Sequence, residues 1–218
     1  MLQYLFTELC LGCAQPTQGG LCQICAAELP RVLQACGGCG LTQPVLPCPR
    51  RIAPWHVDAV VAPFVYASPL DHYVHALKYR GVRALGRALA LALVPELTAA
   101  RAGVDAIVAV PLHRSRLFER GYNQAVEIAR TLAHELELPL LQRGIERRVP
   151  GASQTGQSAA ERRASVARAF AVRRNLAGQR IAIVDDVLTT GATVNALAAA
   201  LRAAGAVRCV AWAVARTP

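Results

Sequence analysis

A chain of 218 residues accommodates one ordinary domain and a small appendage, and its 54% of apolar residues suffices for a proper core. No apolar run reaches the roughly 18–20 uninterrupted residues of a membrane-spanning helix, and no basic, apolar leader opens the chain. We therefore expect a cytoplasmic protein without membrane insertion. The formal net charge of +10 favours anionic ligands, either phosphates or nucleic acid.

The first predicted element is a cysteine-rich head, which we place at residues 1–55. Seven of the eight cysteines fall in it, as three C-x2-C pairs and one single residue. Two such pairs complete a tetrahedral Zn²⁺ site, and cytosolic surroundings keep thiols reduced rather than in disulfides. The first two pairs predict this site, with the ligands Cys10, Cys13, Cys22 and Cys25.

The second half of the head repeats the C-x2-C spacing, but Arg51 stands where the repeat would place its last cysteine. A second site is therefore incomplete, and Cys36, Cys39 and Cys48 are doubtful ligands. The spacing also permits an interleaved arrangement, in which the first and third pairs share one ion. A zinc ribbon can be structural or can bind nucleic acid; residues 10–50 lack the aromatic residues typical of base stacking, and both roles stay open.

Beyond a proline-rich linker near residues 47–57, apolar β-branched runs alternate with helical periodicity. Strands are expected at residues 59–66, 104–110, 180–185 and 207–214. Helices are expected at residues 70–93, with Gly81 as a candidate break, at 123–136, where Asn123 caps the helix, and at 192–204, stopped by Gly205. Residues 142–165 show no clear period and predict a mobile loop. The alternation predicts an α/β domain with a mostly parallel sheet, over residues 56–218.

The third predicted strand-to-helix junction carries the most specific chemistry. A short apolar strand runs into Asp185 and Asp186, and then into the hydroxyl-rich turn Thr189, Thr190, Gly191, Ala192 and Thr193. Ligands of open α/β sheets bind at the carboxyl ends of strands, and N–H groups at a helix start surround phosphate. The two carboxylates suit sugar hydroxyls or a hydrated divalent ion. The junction indicates a site for a phosphorylated sugar; the plainer alternative is a capped helix after a buried strand.

Arginines cluster in two further places. Arg114, Arg116 and Arg120 directly follow a predicted strand and can hold a second anionic group such as a diphosphate, although such clusters are often plain surface. The predicted loop and its flank carry Arg143, Arg147, Arg148, Arg162, Arg163 and Arg168. That basic loop can close over a charged substrate or bind nucleic-acid phosphates, and the residues alone do not separate the two.

The motif at residues 184–193, Val-Asp-Asp-Val-Leu-Thr-Thr-Gly-Ala-Thr, resembles the phosphoribosyl diphosphate (PRPP) signature of type I phosphoribosyltransferases. The whole chain, cysteine head included, is similar to the ComF family of competence-associated proteins. Val110-Pro111-Leu112-His113 with Arg116, and residues 120–124, match the family's second hallmark. A third hallmark is matched by Gln154, Glu161, Arg162, Ala169 and Phe170.

The resemblance implies a type I phosphoribosyltransferase fold that binds PRPP with Mg²⁺. It places Asp185 and Asp186 at the ribose hydroxyls, as the catalytic pair, and the turn Thr189, Thr190, Gly191, Ala192 and Thr193 at the 5′-phosphate. It places the remaining phosphate contacts at Pro111, Leu112, Arg116, Arg120 and Lys78. Family enzymes displace diphosphate from the anomeric carbon, and Mg²⁺ neutralises the leaving group.

We therefore expect a PRPP-binding, phosphoribosyltransferase-like protein with a Zn²⁺-bearing head, which binds or transfers ribose 5-phosphate to an unidentified acceptor and is linked to DNA uptake. The alternative is a non-catalytic competence factor that binds single-stranded DNA through the head and the basic loop, with a vestigial or regulatory PRPP pocket. A zinc-ribbon scaffold for partner proteins is a third hypothesis.

Overall fold

The computed structural model describes residues 8–41, 48, 54–149 and 169–218. Within these residues the helices are α1 (Gln23–Ala27), α2 (Leu70–Tyr79), α3 (Ala84–Leu97), α4 (Arg114–Arg120), α5 (Gln124–Glu135) and α6 (Ala192–Ala203). The strands are β1 (Glu8–Leu9), β2 (Pro16–Thr17), β3 (Ala59–Val61), β4 (Phe64–Val65), β5 (Ala106–Ala109), β6 (Ile145–Arg147), β7 (Phe170–Val172), β8 (Arg180–Leu188) and β9 (Arg208–Arg216).

A parallel sheet forms the centre of the fold, as the alternation of strands and helices predicts. Its strand order is β3-β9-β8-β5, and β4 continues beside β9. Helix α5 packs on β5 and β8, α6 packs on β8 and β9, and α3 packs on α5. The central strands are buried along most of their length, which explains their nearly continuous apolar sequences.

Several predicted elements differ in their bounds. The strand expected at residues 59–66 is interrupted at Pro63, which has no N–H to donate to a ladder. The helix expected at residues 70–93 divides at Gly81, whose φ is +72°, and α3 runs on to Leu97. Strand β8 reaches Leu188 instead of residue 185, because β9 stays paired with it to its end.

In the α/β body, the sequence predictions missed α4, β6 and β7. Helix α4 has no buried side chain and therefore leaves no apolar period in the sequence. The loop prediction for residues 142–165 is wrong at β6, which pairs antiparallel with β7. Strands of three residues are too short to display a two-residue period. Of the third hallmark, Gln154, Glu161 and Arg162 lie outside the described residues, as does most of the basic loop, whereas Ala169 and Phe170 lie within them.

The described part of the head packs directly on the α/β body. Cys10, Leu21 and Leu29 belong to the same buried apolar cluster as the sheet. Gly20 lies against α3, where a Cβ would come within 2.7 Å of the Ala88 Cβ. The division at residue 55 stays a prediction. Among the described helices, none combines the length and the apolar character that crossing a membrane requires.

Candidate functional site

The sequence predicts the two acids at the end of their strand, whereas the structure places them inside β8, which ends at Leu188. Their position follows from the pairing of β8 with β9, which continues through Leu188. The Asp185 Oδ1 accepts the Asp186 N–H at 2.9 Å, and the Asp186 Oδ1 accepts the Val187 N–H at 2.9 Å. Asp186 is only 3% exposed, whereas Asp185 is half-buried. Both carboxylates are thus fixed by the backbone immediately before the predicted phosphate turn.

Lys78, in the last turn of α2, contacts Asp186 of the acid pair. Its Nζ lies 2.6 Å from the Asp186 Oδ2, and the two side chains are 20% and 4% exposed. Burial acts to lower the pKa of Lys78, but the Asp186 carboxylate outweighs burial and holds that pKa above its ordinary value. The lysine predicted to touch phosphate therefore forms an ion pair with the buried Asp186.

Asp185 experiences a different balance. Burial, followed by the charge of Asp186, raises the pKa of Asp185 well above its usual range. Arg147, at the end of β6, lies close enough for its charge to interact with that of Asp185. Burial lowers the pKa of Arg147, and the Asp185 carboxylate offsets part of this effect. The acid pair is therefore approached by cations from α2 and from β6.

Lys78 and Arg147 share a cavity of about 210 Å³ that we call the basic pocket. Four of its wall residues are cationic. The wall consists of Lys78, Tyr79, Leu112, His113, Arg116, Arg120, Gln124 and Arg147. Pro111 and Leu112 line a neighbouring cavity of about 450 Å³, together with Arg114 and Arg147. Four clustered cations form a favourable environment for a polyanion such as a diphosphate.

Helix α4 brings Arg116 and Arg120 to the basic pocket. The His113 side chain caps the helix by accepting the Ser115 N–H at 3.3 Å, a role that sequence reasoning did not assign. The guanidinium of Arg120 stacks over the Tyr79 ring, 5.2 Å from the centroid, and donates to Gln124. Stacking and hydrogen bonding hold this guanidinium in place before any ligand arrives.

The predicted phosphate turn, residues 189–193, joins β8 to α6. Gly191 has φ +76°, a conformation that other residues rarely adopt, and the Ala192 N–H donates to the Thr190 Oγ1 at 3.2 Å. Thr189 and Thr190 are exposed. The turn is not part of the basic pocket's wall, so the predicted PRPP contacts do not all surround one cavity. The acid pair connects them, because it precedes the turn and contacts Lys78.

Three residues near the site were not predicted from the sequence to be site residues. The sequence assigns Arg147 only to the basic loop, whereas the structure places it in the wall of the basic pocket. Trp55 packs against Gly191, and the Arg216 guanidinium donates to the Thr189 carbonyl. Both partners are distant in the chain, so no local pattern could have revealed these contacts.

The first four cysteines come together in the head. The Sγ atoms of Cys10, Cys13, Cys22 and Cys25 all lie within 4.8 Å of one another, which groups the pairs in chain order and not in the interleaved order. The Cys13 and Cys22 sulfurs are 3.6 Å apart, close to the ~3.8 Å edge of a tetrahedron with ~2.3 Å zinc–sulfur bonds. The donor set and its spacing fit a zinc ion.

The local backbone favours a thiolate in this cluster. Burial raises the pKa of the Cys10 thiol, but N–H groups of Cys22, at 3.1 Å, and Gly12, at 3.4 Å, outweigh it and lower the pKa to about 6. Cys36, Cys39 and Cys48 form a second cluster with sulfurs within 4.8 Å of one another. It offers three ligands among the described residues; Arg51 lies outside them.

Sequence comparisons decide the family. The phosphoribosyl transferase domain family matches residues 120–216. The chain is 34% identical to the DNA utilization protein YhgH of Salmonella typhimurium over 222 residues, which cover 96% of this chain and 97% of that protein. It is 32% identical to competence protein F of Haemophilus influenzae, over 95% of this chain and 90% of that protein. This chain belongs to the ComF family.

Membership in the ComF family confirms the resemblance drawn from the motifs and the fold class that it implies. This ComF-family protein is phosphoribosyltransferase-like, and its relatives carry names of competence and DNA utilization. A solved purine phosphoribosyltransferase from Pyrococcus horikoshii aligns with 60% of this chain and 80% of its own, at 20% identity and a TM-score of 0.36. That likeness is too slight to add to the assignment.

Proposed function

We propose that this protein binds PRPP together with Mg²⁺ and transfers its ribose 5-phosphate to a nitrogenous acceptor. One observation carries the proposal: Asp186 of β8 contacts Lys78 in the wall of the basic pocket, and the acid pair is followed closely by the phosphate turn. A ligand with a phosphate, two sugar hydroxyls and a diphosphate matches that succession of groups. A cytoplasmic location, where PRPP and reduced thiols are both available, is part of the proposal.

Each group of the chain has a distinct task in this mechanism. The carboxylates of Asp185 and Asp186 accept hydrogen bonds from the ribose 2′ and 3′ hydroxyls, and the N–H groups at the start of α6 bind the 5′-phosphate. The pocket arginines Arg116, Arg120 and Arg147 bind the diphosphate. The bond from the anomeric carbon to the diphosphate oxygen breaks, and the oxygen keeps the electron pair. The acceptor nitrogen forms the new bond to that carbon.

The arginines and the metal both act on the leaving charge. Guanidiniums already held in position stabilise the negative charge that develops on the diphosphate, without reorganising during the reaction. When bound, Mg²⁺ supplies further neutralisation of the diphosphate oxygens. The oxygen donors of the acid pair fit this hard cation. Burial and the charge of Asp186 raise the pKa of Asp185, and a bound cation would oppose both effects.

For the head we propose a structural Zn²⁺ held by the four sulfurs of Cys10, Cys13, Cys22 and Cys25. Four sulfurs this close cannot all be thiolates without a cation, and a head of this size gains much of its stability from such an ion. The ion would secure the contacts of the head with α3.

Calorimetric titration of PRPP with Mg²⁺ tests the proposal. We expect saturable binding to the wild-type protein, and loss of binding in the Asp186→Asn variant. Asp71→Asn is the matched control, because it removes a carboxylate from the first turn of α2, outside the basic pocket. Absence of binding at millimolar PRPP contradicts the proposal. Release of inorganic diphosphate upon addition of candidate bases then identifies the acceptor.

The exposed face of α4 favours a second candidate function, the binding of single-stranded DNA. Phe118 is 91% exposed on this helix, beside the exposed Arg114 and Arg116. Exposed aromatic rings among cations are typical of base-stacking surfaces. Affinity for an oligonucleotide should fall steeply between about 50 and 200 mM salt and fall further in Phe118→Ala. Leu33→Ala, at an equally exposed apolar residue of the head, is the control.

A further inference from the structure

The segment that leads from the head into the body is fastened to helix α6. The Asn195 side chain accepts the His56 N–H at 2.6 Å through its Oδ1 and donates from its Nδ2 to the Pro54 carbonyl at 2.9 Å. Two turns further along α6, the Arg202 guanidinium donates to the His56 carbonyl at 2.9 Å and to the Asp58 Oδ2 at 2.5 Å. Residues 54–58 are therefore held against the helix that follows the phosphate turn.

This attachment places the Trp55 ring on the backbone of the turn. A Cβ built on Gly191 would lie only 2.7 Å from the Trp55 Cη2, so the indole occupies the space that a side chain would need. The same glycine has φ +76°. Glycine is thus required at residue 191 for its conformation and also for the contact with the ring. The turn therefore contacts the Trp55 indole at Gly191.

A second support contacts the beginning of the turn. Arg216, at the end of β9, is only 4% exposed, and its guanidinium donates to the Thr189 carbonyl. The next residue, Thr217, donates its N–H to the Leu188 carbonyl at 3.0 Å. Burial lowers the pKa of Arg216.

We propose that Trp55 and Arg216 are positioning residues that hold the turn at residues 189–193 in the conformation that binds a 5′-phosphate. The inference rests on the proposed function, since it assumes that this turn binds phosphate. An exposed turn with a glycine at positive φ has several accessible conformations, and ordering it during binding reduces affinity. Contacts that order the turn beforehand reduce this cost and so increase affinity.

Two ligands separate this positioning role from a general effect on folding. Ribose 5-phosphate requires the turn, whereas inorganic diphosphate requires the arginines of the basic pocket. In Trp55→Leu we expect the affinity for ribose 5-phosphate, measured by calorimetry with Mg²⁺, to fall by about tenfold or more, with the affinity for diphosphate within about twofold of wild type. Trp55→Phe should retain most of the affinity. Asn195→Ala, which frees the segment without altering the ring, should behave like Trp55→Leu.

Tryptophan fluorescence provides an independent test of the contact between Trp55 and the turn. The chain has two tryptophans, and Trp212 is fully buried in β9. In Trp212→Phe the remaining indole is Trp55, so its emission should change saturably with ribose 5-phosphate and stay constant with diphosphate. A Trp55→Leu variant that binds both ligands as wild type does, or loses both equally, overturns the positioning role. A wild-type protein that binds no ribose 5-phosphate contradicts the proposed function itself, before any variant is compared.

Discussion

Replacing Lys78 by methionine, which keeps the length of the side chain and removes its charge, is expected to destabilise the unliganded protein strongly. The Lys78 Nζ lies 2.6 Å from the Asp186 Oδ2, and the carboxylate side chain is only 4% exposed. Removing one partner of a buried ion pair costs about 3–5 kcal/mol, because the other charge stays buried without compensation. In a domain of this size each kcal/mol shifts Tm by about 2–4 °C, so Tm should fall by roughly 6–20 °C.

The penalty should depend on pH in a defined direction. In the wild type, the raised pKa of Lys78 means that its contribution to stability is complete below the ordinary lysine pKa and is lost as the pH rises through the higher folded value. In Lys78→Met the acid pair loses the cation that contacts Asp186, and Asp185, whose pKa is already raised, binds its proton still more tightly in the folded state. The stability of the variant therefore falls as the pH rises from the acidic range, and the difference from wild type grows.

Urea unfolding at about pH 5 and about pH 8 measures this difference. Arg87→Met is the control, because it breaks a 3.2 Å pair with Glu8 in which both side chains are half exposed, and such pairs contribute about 0–1 kcal/mol. Adding Asp186→Asn to Lys78→Met should restore part of the lost stability, since it removes the uncompensated charge. If Lys78→Met costs no more than Arg87→Met, or costs the same at both pH values, the pair does not compensate a buried charge.

Three further outcomes follow from the site and the head. Asp185→Asn should raise Tm of the protein without ligand near neutral pH, because the raised pKa of this acid shows that its charge is unfavourable in the folded state. This gain in Tm should vanish in acid, where the carboxyl is protonated. Calorimetry of the same variant should show that PRPP binding is lost. Cys13→Ser should release zinc to a chromogenic chelator and lower Tm, whereas Cys209→Ser, outside both clusters, should retain the metal. Gly191→Ala should lower the free energy of unfolding in urea by more than Gly81→Ala does, because a Cβ at residue 191 would also collide with the Trp55 ring. Gly81→Ala meets only the ~1–2 kcal/mol penalty of positive φ. Equal losses would show that the indole moves aside easily.

Local chemistry made part of this molecule predictable. Asn123 caps α5 by accepting the Ala125 N–H at 2.9 Å, which is a relation between neighbours in the chain. The strand predicted at residues 207–214 includes Cys209, which is 0% exposed in β9. The order of β8, turn and α6 follows in the same way from a β-branched run, a glycine and an alanine-rich stretch.

Contacts between distant residues set the limit of prediction. The hydrogen bond of His56 with Asn195 joins residues 139 positions apart, and no period or spacing encodes it. The placement of Asp186 inside β8 was equally hidden, because the length of β8 depends on how far β9 accompanies it. Lys78 was linked to phosphate through the family resemblance alone. Its contact with Asp186 depends on how α2 packs over the sheet.

The Lys78–Asp186 pair also separates the two candidate functions chemically. A ligand can draw Lys78 away only if the buried Asp186 gains other donors, and the free 2′ and 3′ hydroxyls of a ribose are suitable donors. A DNA strand offers none there, because its sugar has no 2′ hydroxyl and its 3′ oxygen is esterified. DNA should therefore contact the exposed face of α4 and leave the pair intact. Asp186→Asn should then abolish PRPP binding and leave the DNA affinity unchanged, and a parallel loss of both would mean that one surface serves both ligands.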